Sequence, residues 1–348
     1  MNDAPIVCPL CPMHCDDVSA ARLIAGDTDC RVATERMQAV LHASASPALS
    51  DRDELETGRR WIADADQIVV SGHAIDVETS RAICEFVRAT GASVEMAGSN
   101  VMALEVMARE GYFTATLGEL AARQTSLLVI GDVATHWPRI ERWTNRGQPQ
   151  VRWSDSAALP GLIAAVRRQL SDRFMPAVST DPDVTAAVEL LKAASYLIVL
   201  VAPLQECVAR TPVIWSSLLG LVRERNKVSR AAILSFDPSI TVRSVLAARS
   251  DPPPWHYPTN EACLRIELSP FGESEPRSAH RTIVIGMRTK ARGAAECILS
   301  ASVPGLHDAG FVIRGDGSVT LPLQSCIHHK RPTFTPADQL RRLLGTLA

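Results

Sequence analysis

Short apolar runs alternate with helical patterns along this chain, and the alternation restricts the possible folds more than any other feature. Gln67 to Ser71 is a β-branched run closed by Gly72. Asp76 then offers a side-chain acceptor for a helix whose Ile83, Phe86 and Val87 share one face, and Gly91 ends it. Ser93 to Met96 reads as a second strand, Val101 to Glu110 as a helix, Thr116 and Glu119 as a capping box, and Leu127 to Ile130 as a third strand. After an Asp/Pro/Ser-rich stretch at Ser171 to Asp183, a helix runs to about Ala194. The strand Tyr196 to Val201, the helix Val213 to Arg225 and the strand Ala231 to Phe236 follow. Asp251 to Pro254 and Pro270 to Ser278 are breaker-rich loops, Thr282 to Gly286 and Cys297 to Ser300 are further strands, and an amphipathic helix starts at Pro336. Strands that are continuously apolar and separated by helices belong to parallel sheets covered on both faces.

Single cores stop growing near 250–300 residues, so a chain of 348 residues predicts two doubly wound α/β units. The expected division is a small Cys-rich lobe at residues 1–50, a discontinuous first α/β domain at 51–155 plus 280–348, and an inserted second domain at 156–279. With 36 basic and 38 acidic side chains, the surface has no basic excess for a nucleic-acid backbone or an anionic membrane. The longest apolar run, about Ala193 to Leu204, is too short for the roughly 20 residues that span a bilayer. The N-terminal residues have no charged segment followed by an apolar one, which predicts a cytoplasmic protein.

Four of the nine cysteines fall within the first 30 residues, as Cys8-x2-Cys11-x3-Cys15 followed by Cys30. A tight loop presenting three thiolates, closed by a distant fourth, suits one [4Fe–4S] cluster. Zinc bound by four thiolates accepts the same residues, and a metal-free loop packed by apolar contacts is the third reading. His14 lies inside the loop, where a solvent-facing or supporting imidazole is expected rather than a ligand.

The segment Val7 to Asp17 with Cys30 and Arg31 resembles the N-terminal cluster-binding region of the molybdopterin oxidoreductase superfamily, and within it the B-type subunit of formylmethanofuran dehydrogenase. Two further stretches carry the same resemblance. One runs from Gly111 to Glu119, through Leu127 to Asp132, to His136-Trp137-Pro138-Arg139-Ile140; the other joins Val303 to Gly310 with Ile313 to Leu323. Leu218 to Arg230, with Asn226, Ser229 and Arg230, is a weaker match. The shared order of these stretches covers the chain from end to end.

In active dehydrogenases of this family a cysteine followed by a histidine ligates molybdenum or tungsten upstream of the Thr-Leu-Gly-Glu segment. The corresponding stretch here, Ala97 to Gly111, contains neither. Cys84 is no substitute, because its place among Ile83, Phe86 and Val87 makes it a buried structural thiol in mid-helix. The pattern is most similar to the B-type subunit of the bacterial formyltransferase/hydrolase complex. That resemblance implies a cytoplasmic, non-catalytic subunit with no Mo/W-pterin, assembled with subunits A, C and D. It implies a place in formaldehyde oxidation, where formyl passes from tetrahydromethanopterin to a methanofuran-type carrier and is hydrolysed to formate. The alternatives are a working Mo/W dehydrogenase subunit with an atypical ligand and an iron–sulfur electron carrier.

No Gly-x-Gly-x-x-Gly, Walker A, His-Glu-x-x-His or Gly-x-Ser-x-Gly pattern occurs. His73 follows a strand end, where parallel sheets bind ligands, and reads either as part of a remnant pterin pocket or as a loop histidine. Arg139 admits an ancestral phosphate contact, and Pro138 is explained by a helix start. Arg314-Gly-Asp316-Gly is expected to be a tight turn, and His328-His329-Lys330 a solvated loop.

Overall fold

In this computed structural model the described residues are 5–44, 51–72, 76–96, 106–107, 109–111, 113–144, 147–154, 157–170, 181–204, 211–248, 264–271, 281–287, 296–327 and 334–345. The chain begins with β1 (Pro5–Ile6), β2 (Val18–Ser19), α1 (Ala20–Ala25), α2 (Arg31–Ser44), α3 (Asp51–Asp64), β3 (Ile68–Gly72), α4 (Val77–Thr90) and β4 (Ser93–Met96). Next come α5 (Leu117–Ala122), β5 (Ser126–Ile130), α6 (Val133–His136), β6 (Gln150–Trp153), α7 (Leu159–Leu170), α8 (Pro182–Ala193), β7 (Tyr196–Val201), α9 (Thr211–Arg225) and β8 (Arg230–Leu234). The last elements are α10 (Ile240–Ala247), β9 (Leu264–Ser269), β10 (Arg281–Gly286), β11 (Glu296–Ser300), β12 (Gly310–Ile313), β13 (Thr320–Leu323) and α11 (Pro336–Leu343).

Two compact units result, one formed by residues 1–97 with 238–348 and the other by 98–237. The first holds a five-stranded sheet in the order β11-β10-β9-β3-β4, the second a four-stranded sheet in the order β6-β5-β7-β8. Every neighbour pair in both sheets is parallel. Ranked by appearance within each sheet, the strands follow 2-1-3-4, with a fifth strand added in the first. This is a doubly wound order, in which the first strand becomes the central switch point.

Local chemistry sets the element ends. Asp76 caps α4 by accepting from the amides of Glu78 and Thr79, and Gly91 closes that helix at φ 70°. Thr116 and Glu119 cap α5 reciprocally, and Thr335 with Asp338 does the same for α11. Gly286 is demanded by its surroundings, since a Cβ there would run into the carbonyl oxygen of Ser269 on the neighbouring strand.

In the second unit, β7 is buried at every residue. Leu197, Val199 and Val201 join Leu128 and Ile130 of β5 in a core completed by Ile163 of α7, Leu191 of α8 and Trp215 and Leu218 of α9. Each fully buried side chain of this kind contributes about 1.5–3 kcal/mol. The first unit differs. The register aligns Ser71, Glu95 and Glu267 in one cross-strand row and Val69, Ser93 and Arg265 in the next on the same face, so that face buries Ser71, Glu95, Ser93 and Arg265 beside a half-buried Glu267. Arg265 donates to Glu95 there, with both side chains at most 4% exposed.

The domain borders differ from those expected at 155–156 and 279–280. Ser126–Ile130 pairs with β6 and β7 and therefore belongs to the second unit, which begins near residue 98. Leu264–Ser269 lies between β10 and β3, so the first unit resumes at 238. Arg265 and Glu267 interrupt the apolar run of this strand and hide it in the sequence. Residues 1–50 cluster with the first unit.

Candidate functional site

β1 and β2 pair antiparallel, Ile6 opposite Val18, and hold the cysteine loop between them. The amide of Cys8 donates to the carbonyl of Cys15 at 2.8 Å and closes its base, while the amide of His14 donates to Cys11 at 3.1 Å and tightens its tip. That turn forces His14 to φ 43°, a left-handed conformation uncommon outside glycine. Leu10 and Met13 are fully buried and anchor the loop from within. Arg36 of α2 donates to the Leu10 carbonyl, and the Gly315 amide donates to Pro12 at 2.8 Å. Gly305, at φ 83°, lets its backbone press on Pro9, whose Cβ would be 2.8 Å from any side chain at that position. Cys30 stands at the start of α2, its carbonyl accepting from the Thr34 amide and the Thr28 hydroxyl.

The loop therefore brings Cys8, Cys11 and Cys15 near Cys30 in a shielded setting. Cys8, Cys15 and Cys30 are buried and Cys11 is half-buried. Burial raises the Cys8 thiol well above its ordinary range, and the neighbouring Cys11, Cys15 and Cys30 raise it further, while the Leu10 amide opposes them. Cys11 is pushed up to about 11, first by burial and also by Cys30, against the Met13 amide and the Arg36 guanidinium. As placed, Cys8 and Cys11 are neutral thiols near pH 7, and a metal would have to displace their protons. His14 is not solvent-facing. It is buried with its Nδ1 3.2 Å from the Cys8 carbonyl, and burial lowers it to about 4, which leaves the imidazole neutral.

By donor type, four cysteines with loop amides and a guanidinium set against two of the sulfurs match a thiolate-bound group. Among the described residues no group of three or more His, Cys, Asp or Glu side chains is placed to hold a metal ion.

The other sequence candidates divide into structural residues and undescribed ones. Cys84 is buried in mid-helix on α4. Arg139 is buried beside the turn that begins at Ile140, rather than held open to a ligand. Arg314 to Gly317 is a tight turn, closed by the Gly317 amide on the Arg314 carbonyl at 2.7 Å, with Asp316 accepting from Arg314 and Ser318. Asn226 clamps the start of β8 by exchanging two hydrogen bonds with Ala231 at 2.8 and 2.9 Å. His73, Asn100, most of Ala97 to Gly111, and His328 to Lys330 lie outside the described residues. Sequence reasoning missed Arg36, Gly305 and Gly315, which grip the loop. Arg36 and Leu10 are 26 positions apart and the glycines lie farther away, so no local pattern marks them.

No family model and no curated protein matches the chain. Among solved structures, it is similar to a chain of the formyltransferase/hydrolase complex from Methylorubrum extorquens, determined with methylofuran. The two are 18% identical, with a TM-score of 0.63, over 86% of this chain and 96% of the other. At that identity the match shows a shared fold. Among the described residues no helix is long and apolar enough to cross a membrane.

Proposed function

We propose that this chain is the B-type, non-catalytic subunit of a formyltransferase/hydrolase complex in tetrahydromethanopterin- and methanofuran-linked one-carbon metabolism. The observation that carries this reading is the likeness to a chain of such a complex across both α/β units, 86% of one chain and 96% of the other. It is strengthened by what the resembling residues do. Thr116 and Glu119 cap a helix, Asp132 caps α6, Asn226 clamps β8, and Arg314 and Asp316 build a turn. All are scaffold tasks. The segment Ala97 to Gly111 contains no cysteine or histidine for molybdenum or tungsten, so formate redox chemistry lacks its soft ligand. The reacting groups would then reside in partners of A and D type, with a C-type subunit completing the assembly.

In this reading Cys8, Cys11, Cys15 and Cys30 are the residues that would hold a [4Fe–4S] cluster. Such a cluster, when bound, supplies one-electron storage. The chain's own contribution is to shield the sulfurs, direct the amides of Leu10, Met13 and His14 toward them and place Arg36 nearby.

The test is anaerobic purification from the native cell, followed by metal analysis and assay with formate and viologen dyes. The proposal expects neither molybdenum nor tungsten and no dye reduction. Formate-dependent dye reduction by metal-loaded protein would show a dehydrogenase with an atypical ligand. Iron near four atoms per chain, lost on Cys8→Ser, would identify the cluster; thiols that stay metal-free would refute that part alone.

A further inference from the structure

Arg36 of α2 reaches the cysteine loop from outside it. Its Nη1 donates to the Leu10 carbonyl at 2.5 Å, and its guanidinium carbon lies 4.9 Å from the centre of the Phe271 ring. Phe271 is buried, so the guanidinium is held between a backbone carbonyl and an aromatic face. The Leu10 carbonyl belongs to the same planar peptide as the Cys11 amide, and its oxygen is about 2.8 Å from the Cys11 Cα. A cysteine sulfur is about as far from its own Cα, which places Arg36 Nη1 within about 8 Å of the Cys11 sulfur. A charge acts strongly over that interval in a shielded site, because salt screens buried groups far less than exposed ones.

The other arginines around the loop are differently engaged. Arg31 pairs with Glu35 at 3.4 Å on the exposed side of α2, and Arg314 pairs with Asp316 at 3.3 Å in the turn that grips Pro12. A carboxylate offsets each of these charges. Asp16 and Asp17, just beyond Cys15, are exposed and add negative charge to a loop that four thiolates would already make electronegative. The loop's own amides aim at sulfur, that of Leu10 at Cys8 and those of Met13 and His14 at Cys11. Hydrogen bonds to sulfur and local charge both set the reduction potential of an iron–sulfur cluster. The amides provide the first, and Arg36 is placed to provide the second.

We propose that Arg36 is a positioning residue that raises the reduction potential of a cluster held by Cys8, Cys11, Cys15 and Cys30. It fixes the Cys11 peptide through the Leu10 carbonyl and sets a positive charge beside the thiolates. Reduction by a one-electron donor, dithionite in the test, adds one negative charge and no proton, and a fixed cation stabilises that state. Removing the guanidinium makes the loop more negative whatever else Arg36 touches. The inference rests on the reading of the four cysteines as cluster ligands.

The test is a dithionite titration of the full chain, purified anaerobically, with the reduced cluster followed by electron paramagnetic resonance and iron counted in every sample. Arg36→Gln keeps a donor for the Leu10 carbonyl but removes the charge, whereas Arg36→Lys keeps the charge. The glutamine variant should retain about four irons per chain. Its ratio of reduced to oxidised cluster at a fixed potential should fall about 10-fold or more, a drop of about 59 mV for one electron. Arg36→Lys and Arg31→Gln should stay at the wild-type potential. If the glutamine variant loses iron while the lysine variant keeps both iron and potential, charge is again the requirement, because glutamine retains the donor. A glutamine variant at the wild-type potential, an equal shift in the lysine or Arg31 variant, or loss of iron from both Arg36 variants would overturn the proposal while the cluster reading stands. A wild-type chain without iron would overturn both.

Discussion

The two parallel sheets share a strand order but seal their interiors differently. In the second unit the central strand Tyr196–Val201 is buried at every residue and Leu197 to Val201 are all aliphatic, so its stability comes from apolar area and close packing. The first unit buries Ser71, Ser93, Glu95 and Arg265 on one face of its sheet. A buried ion pair adds little net stability, because desolvation offsets the attraction, but losing one partner strands a charge. The apolar sheet should therefore be intolerant of any polar atom, and the polar face intolerant of single changes but tolerant of paired ones.

The most damaging change expected is Val199→Asp, which puts a lone carboxylate into the apolar core. A loss of about 4–5 kcal/mol or more is predicted, enough to prevent accumulation of folded protein, as read by soluble yield and circular dichroism. Glu95→Leu alone should cost about 3–5 kcal/mol by taking the hydrogen-bonded partner from the buried Arg265 and leaving it only the attraction of Glu267, whereas Glu95→Leu with Arg265→Met should return to within about 1–2 kcal/mol of wild type or exceed it. Urea titrations of the two singles and the double measure this cycle, and simple additivity would erase the contrast between the sheets.

Smaller effects sharpen the same contrast at element ends. Thr116→Ala removes one half of the α5 capping box and should cost about 1 kcal/mol in urea unfolding. Asp76 is a cap under a different constraint. Burial outweighs its hydrogen bonds from Thr79 and Glu78 and raises its carboxyl pKa. The stability it contributes is full below the unfolded-state pKa and is lost as pH rises through the higher folded value. Asp76→Asn retains the cap but cannot titrate, so its stability should lack that decline with pH and exceed wild type near neutrality. An unchanged pH profile would show that the cap is better solvated than its position suggests.

How much of this was readable in the sequence follows from the same physics. Strands such as Tyr196–Val201 and Ser126–Ile130 are visible because apolar burial is written as a local run. The α5 and α4 caps are visible because capping acts over three residues. Leu264–Ser269 was hidden, since the Arg265 and Glu267 that suit a polar sheet face break the run that identifies a strand. Gln150–Trp153 was missed for a related reason, as an edge strand with polar residues on one face. Missing these two strands displaced both domain borders. For the cysteine loop, the ligand-like spacing is local and legible, whereas the grip of Arg36, Gly305 and Gly315 depends on contacts that only the fold creates.

Native mass spectrometry of the chain, tagged and purified from its own cells, tests the central claim most directly. The account predicts a stable assembly of fixed stoichiometry containing amidohydrolase-like, glutamate-synthase-like and formyltransferase-like subunits, with this chain present in every complete complex. A chain that travels alone as a monomer, with no such partners at any ionic strength, would contradict it.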